Sequence, residues 1–557
     1  MSPLNALHDS IGVHLPDIKV SHVVFIGLAT ISYALAYKLW LYPFFFSPLR
    51  TLPGPPLGHP IFGQSLTIIN NEVGLPQREW IKKYGPVVRT VGPIGLERLM
   101  FLKPEALHKI LVKDWVDYPR PGFLRKILGL VTGYGLLTVT GDEHKQMRKA
   151  MNPAFSIPNL MAQTDMYYDA INGLVQIITS EVDTQEKPEQ GKVMPVYEWM
   201  SKVTLDIICE TAFGYKSDSI HNPHNELAVA YEALVNLQSG ANIAKLIMAI
   251  SLPGVSSLLL SDFGYKYRNV FRLTSFTADI ATVLGAMHTI KRISREMLNE
   301  KMRESLESGI SAGDSELHGK KDIMSILVRA RTSESDGSYK MSDKAMMDQV
   351  LTFIGAGHET TGSILPSGLA WTLWLLANDQ ESQQKLREEL QPVLAQHDRP
   401  DYKTLRDLKW LDCVILESLR VMPPVPMTVR KAAKTDYIEG ILVPKGTFFW
   451  IPIRPVNTWK GIWGEDAEEF HPARWLNLPK DYHPSFSLLS FIAGPHACIG
   501  KTMAIIEMKA VLAALIANFQ FEPAYEGQKA EPAAAITMKP TDGMPLRVKR
   551  TTFVGRS

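Results

Sequence analysis

Cysteine is scarce. The 557 residues hold three, Cys209, Cys413 and Cys498, too few and too far apart for a disulfide framework or a cysteine-based zinc site. Charge of one sign is lacking as well. Lysine and arginine exceed aspartate and glutamate by only 2, so no basic excess points to a nucleic-acid partner. No internal repeat is present, and no glycine-rich fingerprint for a flavin or a nicotinamide. Long uncharged runs are rare too. The stretch Ile243 to Leu260 is interrupted by Lys245, Pro253 and Gly254, and reads as substrate-roof or membrane-dipping surface rather than a second span.

The one long uncharged run is Val20 to Tyr37, which contains no Asp, Glu, Lys or Arg, and Leu39–Phe46 extends it past Lys38. At about 1.5 Å per helical residue it reaches across a hydrocarbon layer of about 30 Å. Trp40, Tyr42 and Phe44–Phe46 have the character of an interfacial aromatic belt. There is no basic leader and no small-residue cleavage site, so an uncleaved anchor is expected over residues 1–50. Lys38 and Arg50 on its C-terminal side place the bulk of the chain in the cytosol. Leu52-Pro-Gly-Pro-Pro56 reads as a stiff hinge between anchor and body.

One cysteine stands in an unusual setting. Phe491-Ile-Ala-Gly-Pro-His-Ala-Cys-Ile-Gly500 puts Cys498 between Gly494 and Gly500, directly before an amphipathic helical run from Lys501 to Phe519. A thiol there lies at the positive end of a helix, which favours the thiolate. The two glycines suit a tight turn and a flat ligand pressed against the backbone. A lone cysteine before a helix is usually only a small buried residue. The spacing Phe-x-x-Gly-x-x-x-Cys-x-Gly, however, is expected by chance only about 5 × 10⁻⁴ times in a chain of this composition.

This segment resembles the heme-binding loop of the cytochrome P450 family, in which the cysteine sulfur is the axial ligand of heme iron. The resemblance covers nearly all of the chain after residue 50. It implies a mainly α fold with a small β region, residues 51–557 as one catalytic domain, and heme b held through Cys498, with Phe491, Gly494 and Gly500 shaping the loop. The family usually has arginine two residues before the cysteine, and here His496 stands there.

Three further segments match in order. Gly141 to Phe155 resembles the family's C-helix, with His144 where tryptophan is usual and Arg148 one turn on. Both become candidates for the heme propionates, a solvated basic face being the alternative. Gly355-Ala-Gly-His-Glu-Thr-Thr-Gly362 lies within a helix expected from an N-cap at Ser342 to about Ala377. Mid-helix glycines cost about 1 kcal/mol each against alanine, and here they open a groove over a flat ligand. The segment resembles the oxygen-activating helix, and Glu359 and Thr360 would deliver protons. Glu417 and Arg420 resemble the K-helix pair, which Arg474 would complete as a buried triad. As a bare Glu-x-x-Arg they would be an ordinary surface pair.

Arg430, in the strand-like Val425–Lys431, resembles another propionate partner. Hairpins are expected over Tyr437–Phe449, turning at Pro444-Lys-Gly446, and around Thr541-Asp-Gly543. Pro119 to Gly135 reads as irregular. Phe123, Leu124, Ile127, Leu128, Leu136, Val350, Phe353 and Ile354 suggest an apolar pocket.

The activity implied by resemblance is monooxygenation of an apolar small molecule. The pattern resembles fungal microsomal members, many of which tailor secondary metabolites of the terpenoid kind. A fatty-acid or xenobiotic hydroxylase stays open, as do a heme-thiolate enzyme that needs no reductase and a heme sensor or carrier. Electrons would come from NADPH–cytochrome P450 reductase, with cytochrome b5 as a second donor. Lys145, Arg148 and Lys149 offer a basic docking face. The implied location is the endoplasmic reticulum membrane, single-pass.

Overall fold

The computed structural model describes residues 20–222, 224–237, 242, 254–255, 261–274, 277–307, 322–332, 341–358, 364–533 and 537–551. Helices dominate, and three small sheets are inserted among them. The helices that position the site are α1 (Val20–Ala36), α2 (Gly122–Thr132), α3 (Gly141–Met151), α4 (Asp343–His358), α5 (Ile364–Asn378), α6 (Lys409–Val421) and α7 (Lys501–Asn518). The strands are β1 (Val87–Val91), β2 (Glu97–Phe101), β3 (Lys192–Pro195), β4 (Thr428–Lys431), β5 (Asp436–Ile438), β6 (Ile441–Val443), β7 (Phe448–Ile451), β8 (Phe519–Pro523) and β9 (Pro545–Arg550).

The largest sheet has the order β1-β2-β7-β4. β2 and β7 run parallel with Leu99 beside Phe449, and β4 pairs antiparallel with β7 so that Arg430 stands beside Phe449. Arg430 thus shares a face with the apolar cluster that contains Leu99, Phe101 and Phe449. A second sheet has the order β3-β9-β8. The main helical core lies between, and α5, α6 and α7 all contribute to it.

The largest surprise is in α7. An amphipathic helix should bury one stripe, but here Met503, Ile506–Ala513 and Leu515–Ala517 are all buried. Even Glu507 and Lys509 lie inside. Lys509 is satisfied by the carbonyls of Leu405 and Arg406 and by Asp412. The helix following Cys498 is therefore a central post, packed on every side.

Several local expectations change. Pro119–Gly135 is not irregular, because it contains α2, whose Ile127 and Leu130 pack on Leu284. Its glycines at 122 and 133 flank the helix rather than break it. The hairpin after β4 turns at Glu439–Gly440, both with positive φ, between β5 and β6. The later strand, β7, leaves that hairpin for the large sheet because Phe449 and Ile451 bury there. Near the end of the chain Pro532 bridges Pro540, and the expected turn at Thr541–Asp542 is present but leads into β9, which pairs with β3 and β8. Ser342 does cap α4, its Oγ accepting from the Ala345 N–H at 3.2 Å. The stretch 359–363 and most of Ile243–Leu260 lie outside the described residues.

The continuous helix Val20–Phe46, 27 residues, is long and apolar enough to cross a membrane. Its last part does not swing on the proline-rich segment. Leu39 and Pro43 are buried against the body, and the Pro43 carbonyl accepts from Arg89 at 2.6 Å. Arg89 pairs with Glu97 at 2.7 Å, and Glu97 also takes the Ser47 hydroxyl. The expected hinge is itself fastened: Arg89 N–H donates to the Pro53 carbonyl at 2.9 Å. β1 is an edge strand, and its free backbone edge is what the strap satisfies.

Candidate active site around Cys498

The cysteine loop is a compact set of turns. Cys498 N–H donates to the Phe491 carbonyl and Ala497 N–H to the Gly494 carbonyl, each at 2.9 Å. Gly494 has φ +77°, and a Cβ on it would lie 2.1 Å from the Leu111 carbonyl oxygen. Its need for glycine therefore comes from a neighbouring backbone, not from a ligand. Gly500 differs. Its φ is −90°, and a Cβ would meet only the Phe155 ring at 3.7 Å.

Cys498 is exposed while both other cysteines are buried, although protein surrounds it closely. Accessibility and crowding together describe a sulfur in a recess rather than on an open surface. Burial pushes the thiol pKa up, against the Gly500 N–H, Arg148 and Lys501, which pull it down, and the net shift is upward. The helix end alone does not produce the expected thiolate. A metal ion on the sulfur displaces the proton outright.

Around this recess stands a group of cations and imidazoles. Arg430 is 2% exposed and donates only to Thr428 Oγ1 and the Val429 carbonyl. Burial, with Arg120 nearby, drives its pKa far below the usual range. Arg120 donates to the Leu137 carbonyl at 3.0 Å and meets His496 Nδ1 at 3.3 Å. Its pKa falls to about 10, chiefly through burial and then through Arg125. Among the described residues no carboxylate lies within ion-pair distance of Arg120, Arg148 or Arg430. Buried charges are ordinarily paired, and the buried Arg430 has no such partner among the described residues.

His144 packs its ring 4.0 Å from that of His496, with Trp115 beside both. Burial holds His144 down at about 4 and His496 at about 2, helped by the neighbouring arginines, so both are neutral at physiological pH. His144 Nδ1 is buried without a partner among the described residues, a polar atom that ordinarily has one. These observations fit a flat group bearing carboxylates whose metal meets Cys498. Heme answers that description.

Arg148 turns inward. Its Nη1 donates to the carbonyls of Pro495 at 3.1 Å and Ala497 at 2.5 Å, which clamps the cysteine loop. It therefore leaves the expected surface patch, where Lys145 and Lys149 stay exposed and Lys145 pairs with Asp142.

The triad that the resemblance implied forms. Glu417 and Arg420 are wholly buried, and Arg474 reaches Glu417 at 3.3 Å. His471 N–H and Trp475 Nε1 also donate to Glu417. Arg420 binds the carbonyls of Asn457, Ala467 and Glu469. Asn457 continues inward, accepting from Leu489 N–H and donating to Ser490 Oγ, immediately before Phe491. A continuous hydrogen-bonded path thus joins α6 to the cysteine loop.

Glu359 and Thr360 lie outside the described residues, and so does the Ile354 side chain. Of the expected pocket residues, Val350 and Phe353 belong to the main core and Ile127 to the cluster with Leu284. Leu124 and Leu128 are half-exposed. Sequence reading missed Arg120, Trp115 and Asn457. The pairing of Pro119 and Pro121 around Arg120 was an available sign of a fixed arginine.

The chain matches the family model for cytochrome P450 over residues 53–546. It is 32% identical to cytochrome P450 monooxygenase 205 of Postia placenta, over 86% of this chain and 87% of that one. It is 29% identical to ganoderic acid synthetase CYP5150L8 of Ganoderma lucidum, over 91% and 93% respectively. Identity to cytochrome P450 monooxygenase sphH of Aspergillus fumigatus is 28%, over 92% and 90%. With a family model matched across nearly the whole body and a relative 32% identical over most of both chains, the chain belongs to the cytochrome P450 family of heme-thiolate monooxygenases.

Proposed function

We propose that Cys498 ligates heme iron and that residues 51–557 form one catalytic domain, with residues 1–50 as its membrane anchor. The carrying observation is the solvent-accessible Cys498 in a loop whose surroundings include the buried Arg430, which has no carboxylate partner among the described residues. Heme bound there supplies the oxygen chemistry. The chain's own residues hold and orient it. Arg430, His144 and His496 present donors for its carboxylates, Arg148 clamps the Pro495 and Ala497 carbonyls, and the Glu417–Arg420–Arg474 triad steadies the approach to the loop. Phe491 closes the loop by accepting from Cys498. Gly494 lets it pass Leu111, and Gly500 begins α7. Glu359 and Thr360 deliver protons to the substrate side, a role that rests on resemblance.

The substrate is an apolar small molecule, and the reaction belongs to secondary metabolism of the terpenoid kind. The relative named ganoderic acid synthetase supports this reading. Electrons come from NADPH–cytochrome P450 reductase, with cytochrome b5 as a further donor, at the face carrying Lys145 and Lys149. The apolar helix Val20–Phe46 supports an endoplasmic reticulum anchor with the body in the cytosol.

The test is Cys498→Ser in the full-length protein. The reduced carbon-monoxide complex of the native chain should show the red-shifted Soret band of thiolate ligation, and the variant should lose it. An unchanged band in the variant would overturn the assignment.

A further inference from the structure

Pro423, Pro424 and Pro426 stand in the segment Val421-Met-Pro-Pro-Val-Pro-Met427, between the end of α6 and the start of β4. A proline has no N–H, so this segment is poor in donors of its own and is fastened by donors from elsewhere. The Met538 N–H donates to the Pro424 carbonyl at 2.8 Å. Most of the other fastenings converge on Arg454, in the short helix Ile453–Asn457 just after β7. Its backbone N–H donates to the Pro426 carbonyl at 3.1 Å. Its Nε donates to the Val421 carbonyl at 3.2 Å, and its Nη2 meets the Met422 sulfur at 3.3 Å. Its Nη1 pairs with Glu72 at 2.7 Å, in the turn before the helix Leu75–Tyr84. All three guanidinium nitrogens are thus engaged within the chain, and Arg454 itself is only 9% exposed.

What Arg454 fastens is a strip of apolar surface. Pro424 and Pro426 are buried, whereas Val425 and Met427 between and after them are only half-buried. Met427 packs against both large apolar clusters and so lies where they meet. The strip runs directly into β4, whose Arg430 stands among the charges around His496. We propose that Arg454, paired with Glu72, is a positioning residue for the substrate: it fixes Val425 and Met427 as a wall against which an apolar molecule rests. The inference rests on the heme assignment above, and Arg454 takes no part in holding the heme. A wall fixed beforehand spares a ligand the cost of ordering it. Glu72 ties that wall to a segment more than 300 residues earlier in the chain.

The experiment uses full-length, heme-loaded protein and two variants, Arg454→Met and Glu72→Gln. Two probes that bind heme iron through an imidazole nitrogen are titrated by visible absorption. Imidazole is too small to need the wall. Clotrimazole carries the same ring on a bulky apolar triphenylmethyl group. Arg454→Met keeps an unbranched side chain and removes every side-chain donor. It should leave imidazole affinity within about twofold of native and weaken clotrimazole about tenfold, the loss expected when one fixed contact surface must be ordered on binding. Glu72→Gln keeps the acceptor and removes the charge, and should weaken clotrimazole alone by about threefold.

A role confined to stability predicts a lower thermal midpoint with an unchanged ratio of the two affinities. That result overturns the proposal, as does an equal loss for both probes. Should Arg454→Met fail to accumulate with heme, Glu72→Gln decides by the same ratio, because its side chain is partly exposed. The native protein's carbon-monoxide complex, recorded beside them, separates this failure from failure of the heme assignment. If the native chain lacks the thiolate band, the assignment is wrong. If it shows the band while the ratio stays fixed in both variants, only the role of Arg454 is.

Discussion

Glu417 and Arg420 exchange two hydrogen bonds of 2.8 Å inside the protein, and neither side chain is exposed at all. Three residues apart on α6, they would be a trivial pair on a surface. Buried, they are a junction. Glu417 takes three further contacts, from Arg474, from His471 N–H and from Trp475 Nε1, while Arg420 collects three carbonyls and lies 4.9 Å from the Trp463 ring.

Removing one partner should therefore cost much more than removing the outer one. Arg420→Ala takes the two-bond partner from a buried carboxylate and leaves three carbonyls unmatched, and should lower stability by about 3–5 kcal/mol. Arg474→Ala should cost less, because Arg474 also spends its donors on half-exposed Asp466. Urea denaturation of heme-loaded protein measures both, and equal losses would contradict the buried junction.

The two loop glycines should separate cleanly. Gly494→Ala forces a Cβ to 2.1 Å from the Leu111 carbonyl at φ +77°, and should cost more than about 1–3 kcal/mol through strain alone. Gly500→Ala meets only ordinary contact with Phe155 and should fold with heme nearly as the native chain does. Heme content per polypeptide after purification reads the difference.

Glu507 gives a pH dependence with a definite sign. It is 1% exposed, and its Oε1 has no partner. Burial raises its pKa well above the carboxylate range, so the folded state holds a proton that the unfolded state releases. Its contribution is intact below the unfolded value near 4.5 and is lost as pH rises toward the folded one. Glu507→Gln, nearly isosteric, should flatten this slope and be the more stable protein at neutral and mildly alkaline pH. Thermal unfolding between pH 5 and about 8 tests it, and parallel curves would contradict it.

Truncation should locate the joint between anchor and body. Deleting residues before Tyr37 spares Pro43 and Ser47, which meet Arg89 and Glu97. The body should keep its stability. Deleting through Leu52 strands that buried ion pair without two of its partners and should cost about 1–3 kcal/mol. Denaturation of the two truncated proteins makes the comparison.

The chemistry was legible where it depends on neighbours along the chain. Phe491, Gly494, Cys498 and Gly500 occupy one local turn, so spacing exposes them, while Glu417 and Arg420 share one helical face and took their meaning from the resemblance of the segments around them. The apolar stretch from Val20 was equally plain. Arg120 was not legible, because its meaning lies in His496, which no local pattern brings beside it. Nor was the inward turn of Arg148, which from its helix position alone could equally have faced solvent.

What the sequence by itself determined is the set of local features: the apolar N-terminal helix, the cysteine loop, the capped helix after Ser342, and the family with its thiolate chemistry. Periodicity, capping and turn geometry act over a few residues, so they survive without the rest of the fold. The tertiary structure decided which charges are buried without partners, that α7 is surrounded on every side, and that β7 leaves its neighbouring hairpin for the large sheet. Those outcomes depend on desolvation and packing by distant segments. Burial that raises the Cys498 thiol pKa and isolates Arg430 exists only once those segments have come together.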